Sequence, residues 1–114
     1  MRRPGAQGLT LHCMAAVRDW TYEEVGRVVA LRGDVAALGG AVTVALCGHW
    51  EHDGPCRWEH FTSSDIVDAA VVVTVHFDAP VNEEQQVRDL VRAALGTGSL
   101  VGPDGTTTTW QLAP

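Results

Sequence analysis

Residues 47–60, CGHWEHDGPCRWEH, hold two of the chain's three cysteines, three of its five histidines and two of its four tryptophans. Neutral imidazole and thiolate are the preferred ligands of zinc, and four suffice, so Cys47, His49, His52, Cys56 and His60 form a candidate metal set. Copper accepts similar donors. The spacing C-x-H-x2-H-x3-C-x3-H departs from the paired Cys-x2-Cys and His-x3-His frames of standard zinc sites, so the signal lies in density rather than pattern. The first functional expectation is a small binding protein that holds zinc or copper through this loop.

A second chemistry uses some of the same residues. Histidine moves protons near neutral pH, and His76, His12 and His49 are the candidates for acid-base catalysis on an apolar or aromatic small molecule. Trp50 and Trp58 would wall its pocket. A third expectation is a non-catalytic adaptor that only dimerises.

These residues need a scaffold. Residues 1–8 read as a flexible tail and 9–114 as a single α+β domain. LTLHCMAAV, from Leu9 to Val17, alternates as a strand does. Thr21 with Glu24 forms a capping-box pattern, and Val25, Val28 and Val29 continue at helical spacing, so a helix is expected up to Gly39-Gly40, weakened at Arg32-Gly33-Asp34. Ala41 to His49 alternates again and reads as a second strand. The stretch from Trp50 to Val67 reads as a long Cys/His/Trp-rich loop, a length that is usually functional when ordered.

Ala69 to Phe77 is the strongest strand signal, with Val71, Val73, Val75 and Phe77 on its apolar side. Pro80, Asn82 and Gln85 then open a helix carried by Val87, Leu90, Val91 and Ala94 and ended by Gly96. The remainder reads as a short strand, a Gly-Pro-Asp-Gly turn and a last strand with Thr108, Trp110 and Leu112 inward.

The resulting order is βαββαβ with an extra C-terminal hairpin, the pattern of the ferredoxin-like split unit, an antiparallel sheet with two helices on one face. In that fold the open face would gather His12, His76 and His49 with Thr43 and Cys47, and a homodimer through this face is expected.

Composition excludes several classes. Fourteen acidic residues oppose eight basic ones, all arginine, for a net charge of -6, which disfavours nucleic acid as a partner. No apolar run approaches the roughly 20 residues of a membrane span. GTGSLVGPDG follows a helix instead of opening one, which argues against nucleotide binding. In an ideal hairpin around Asp53-Gly54, Cys47 and Cys56 stand roughly 14 Å apart, beyond disulfide reach. The odd cysteine count therefore reads as free thiols or ligands in a reducing, cytoplasmic setting.

Overall fold

The computed structural model describes residues 19–48 and 57–114. The expected tail, the strand at Leu9 to Val17 and the turn at Asp53-Gly54-Pro55 lie outside those residues.

Tyr22–Arg32 is a strand, β1, not a helix. Two residues disguise its period of two. Tyr22, Glu24, Gly26 and Val28 share the face turned toward the helices, and a glutamate and a glycine in that set break the apolar alternation that marks a strand. Glu24 is buried all the same, and Gly26 belongs there because a Cβ would meet Leu95 Cδ1 at 2.7 Å. A bulge at Ala30, φ 57°, shifts the register between Val29 and Arg32.

Gly33, at φ 120°, turns the chain where a Cβ would come within 2.5 Å of Thr108 Oγ1. Helix α1 follows at Ala36–Cys47, and from Ala41 onward it takes the place of the expected strand. Its valines and threonine alternate like a strand, yet Leu38, Ala41, Val42 and Leu46 fall at helical spacing and are the residues buried. The Asp34 carboxylate accepts the Ala36 N–H at 3.0 Å, and at the other end the Gly48 N–H donates to the Val44 carbonyl at 2.8 Å.

The expected long loop contains a strand, β2, at His60–Val67. It is an edge strand with a mixed polar sequence, so hydrophobic alternation could not reveal it. A two-residue turn at Asp68-Ala69 leads into β3, Ala70–Phe77, whose Val71, Val73, Val75 and Phe77 are all buried as expected. A short 3-10 turn at Val81–Glu83 precedes α2, Glu84–Gly96. The C-terminal hairpin pairs β4, Ser99–Val101, with β5, Thr107–Leu112. Thr108 and Trp110 are buried as expected, whereas Leu112 is 40% exposed at the end of its strand.

The strands form one open sheet in the order β2-β3-β1-β5-β4, every adjacent pair antiparallel. Val28, Val73, Val75 and Phe77 of the sheet pack with Leu38, Val42 and Leu46 of α1 and Val87, Val91 and Leu95 of α2 in one core. This α+β architecture is compatible with the ferredoxin-like class, reached through a different assignment of segments to elements than the sequence suggested. No helix among the described residues is long and apolar enough to cross a membrane.

Candidate functional site

The chemistry-bearing stretch is described at its two ends. Cys47, in the last turn of α1, is disulfide-bonded, and its partner lies outside the described residues. In that state the Cys47 sulfur is not a thiolate donor.

At the far end, Trp58 is a core residue, 4% exposed. Its indole N–H donates to Glu83 Oε1 at 2.8 Å, while the Arg57 guanidinium lies 4.4 Å over its ring and 3.4 Å from the same carboxylate oxygen. The three residues fasten the approach to β2 onto the start of α2. Trp58 is therefore a buried fastener within the core cluster.

His60 opens β2 on the helix side of the sheet, level with Phe77. Its Nδ1 lies 3.1 Å from the Trp58 carbonyl and its Nε2 lies 3.3 Å from Thr43 Oγ1 on α1. A carbonyl can only accept, so Nδ1 carries the proton and the Thr43 hydroxyl donates to Nε2 in the neutral ring. The Nε2 bond ties β2 to α1, and the Nδ1 bond fixes the ring against the chain two residues earlier. Of the five proposed metal ligands, His49, His52 and Cys56 lie outside the described residues. Among those described, no group of three or more His, Cys, Asp or Glu side chains is arranged to hold a metal ion.

The expected open-face cluster is also redistributed. Thr43 and Cys47 sit on α1 and so cover the opposite side of the sheet from His76. His12, His49 and Trp50 lie outside the described residues. His76 does occupy the open face, in one cross-strand row with Phe61 and Glu23. Its Nδ1 is 3.6 Å from Glu23 Oε1, and its ring stacks on Phe61 with centroids 6.3 Å apart. The next rows are Ser63, Thr74 and Val25, then Asp65, Val72 and Arg27, then Val67, Ala70 and Val29. Phe61, Val25 and Val67 are exposed.

A charge cluster that the sequence reading missed lies under α2. The buried Glu24 carboxylate receives Arg88 Nη1 on one oxygen and Arg92 Nε on the other, both at 2.7 Å. Arg88 also bonds Glu84, four residues before it on α2, and the Glu23 carbonyl. The hydrogen bond to Glu24, followed by that to Glu84, raises the Arg88 pKa above the ordinary arginine value. The spacing of Glu84, Arg88 and Arg92 at four-residue steps was the available signal for one charged helix face. Its buried partner is hidden in the sequence because the segment after Thr21 reads as a helix.

Open cavities flank the sheet among the described residues. One, of about 460 Å³, lies between the start of α1 and the β4-β5 turn and is lined by Asp34, Ala37, Leu100, Pro103, Asp104 and Thr108 among others. The second, of about 420 Å³, lies between β1, α2 and the chain after β5. Comparison with models of known families, with curated proteins and with solved structures finds no match.

Proposed function

We propose that this chain is a non-catalytic association domain of the ferredoxin-like βαββαβ class, with β5 as the fourth strand of the split unit and β4 as an extra edge, and that it pairs with a second copy through the open sheet face. The carrying observation is that face itself. Phe61, Val25 and Val67 are exposed on it, with Val72, Thr74 and Val29 half-buried between them. With Glu23, Arg27, Asp65 and His76 among them, these residues give the face the mixed apolar and polar composition of a non-obligate protein interface.

Its size fits a second copy. Five strands averaging about seven residues at their usual spacing present roughly 590 Å² in projection, the same order as the roughly 800 Å² that each partner contributes to a standard interface. The Cys47 disulfide and the engaged nitrogens of His60 give a metal-holding loop no support from the described residues.

Sedimentation equilibrium of the full chain tests the proposal. A concentration-dependent dimer is expected, with Phe61→Asp shifting it to monomer and Ile66→Asp, on the helix side of the same strand, leaving it paired. A wild-type chain that remains monomeric at all concentrations rejects the pairing. Stoichiometric zinc or copper in protein prepared without chelator favours the metal-holding reading instead.

A further inference from the structure

The sheet ends on two unlike edges, β4 and β2. β4 spans only Ser99–Val101, and so short a strand offers little to another chain. β2 runs from His60 to Val67 in unbroken register with β3. It contains no proline, lysine or arginine, the residues that commonly guard an edge. Phe61, Ile66 and Val67 are exposed on it, Ile66 at 73%.

The outer side of β2 also carries backbone groups. The Asp78 N–H donates to the Glu59 carbonyl at 3.1 Å. Backbone groups alternate in direction along a strand, so Phe61, Ser63, Asp65 and Val67 turn theirs to β3. Those of Thr62, Ser64 and Ile66 point outward, and no strand among the described residues pairs with them.

The sequence of the strand selects its occupant. When a strand pairs antiparallel with its own copy about a two-fold axis normal to the sheet, the axis passes through one residue, and opposed side chains share a face. With the axis on Ser64, Phe61 meets the copy's Val67 on the open side and Thr62 meets its Ile66 on the helix side. These are aromatic and β-branched pairs of the kind that stabilise sheets. Ser63 meets Asp65, and a serine hydroxyl can donate to that carboxylate. Other centres lose the match: on Ser63, Phe61 faces Asp65, and on Asp65 two like charges stand opposed.

We propose that β2 pairs antiparallel with β2 of a second copy, centred on Ser64, so that two five-stranded sheets join into one. Thr62 with Ile66, Ser64 with Ser64 and Ile66 with Thr62 then exchange two main-chain hydrogen bonds each, about six in all. The contact uses the edge instead of the open face and does not depend on the face pairing. Being one strand wide, it is the weaker of the two, and face-paired dimers associate further through it as concentration rises.

Amide hydrogen exchange of the isotope-labelled full chain across a dilution series reads this pairing residue by residue. Exchange at Thr62, Ser64 and Ile66 should slow at least about tenfold from the lowest to the highest concentration, with Phe61, Ser63 and Asp65, already bonded to β3, unchanged. Ser64→Pro removes the central outward donor at a position where an edge strand tolerates proline. Exchange at Thr62 and Ile66 should then lose its dependence on concentration while sedimentation still reports face pairing. Ile66→Lys, which guards the edge with a charge, should do the same. If Ser64→Pro also frees the amides bonded to β3, the strand itself has loosened and Ile66→Lys decides. Outward amides that stay fast at the highest concentration overturn the proposal. Slowing spread equally over both sets of amides overturns it in favour of face pairing alone. Protection that persists in Ile66→Lys, or in wild-type protein that sediments as a monomer, overturns it too, because the edge is then covered by the chain itself.

Discussion

Glu23 and Glu24 are consecutive, chemically identical and placed on opposite faces of β1. Glu24 faces the helices, is 6% exposed and receives one arginine on each carboxylate oxygen. Glu23 faces the open side, with His76 at 3.6 Å. The strand's period of two turns one repeated residue into a structural anchor and a surface charge. Burying a carboxylate costs several kcal/mol unless partners compensate it, so α2 must carry Arg88 and Arg92 for the covered face to form.

Substitution should separate the two sharply. Glu24→Ala leaves Arg88 with Glu84 alone and Arg92 without its carboxylate, and should lower unfolding free energy by about 3 kcal/mol, the lower end for a buried pair because Arg92 is exposed. Glu23→Ala should change it by less than about 0.5 kcal/mol. Urea denaturation of both variants measures the contrast, and similar losses would mean that the two faces of β1 do not differ in the way the packing implies.

The same contrast extends to the tryptophan before β2. Trp58 combines core burial with a single polar anchor, the bond to Glu83. Trp58→Phe removes that bond and leaves a small cavity where the indole's second ring packed, with an expected loss of about 2–3 kcal/mol. A loss below about 0.3 kcal/mol would show that the Arg57 and Glu83 contacts contribute nothing, and that Trp58 acts through its apolar surface alone.

Legibility from sequence follows the same division. β3 and α2 were readable because burial acts on them in one consistent period: every second residue of β3 faces the core, and Val87, Val91 and Ala94 mark one stripe of α2. β1 and α1 were exchanged because each violates its own pattern. β1 sends a glutamate and a glycine inward, with compensation that comes from α2 some 64 residues away. α1 is apolar on nearly every side, and its Val-Thr-Val run reads as a strand until the core reveals which residues point inward. The coarse α+β class was reached nonetheless, because a strand-helix-strand order recurs one element further along the chain, at Tyr22–Arg32, Ala36–Cys47 and His60–Val67.

At the candidate site, residue type alone does not fix a role. A histidine with both nitrogens bonded and a tryptophan in the core look the same in sequence as a ligand and a pocket wall. Only three-dimensional partners distinguish them.

The smallest expected effect lies at the turn between β4 and β5. The Asp104 carboxyl accepts the Thr106 N–H at 2.9 Å, and that bond, ahead of a second one from the Thr106 side chain, holds its pKa below the ordinary aspartate value. A depressed folded pKa means that the contribution is present above the unfolded value and is lost as pH falls through the folded one. The Thr106 amide resonance should therefore titrate with a midpoint below that of an unperturbed aspartate. Asp104→Ala should remove this titration and speed Thr106 hydrogen exchange while leaving the thermal midpoint in place, because the carboxyl is fully exposed. A midpoint at or above the unperturbed value would mean that the turn is not closed by this bond. A shifted thermal midpoint would mean that the hairpin end is coupled to the core, contrary to the separation between buried anchors and surface charges that Glu24 and Glu23 define.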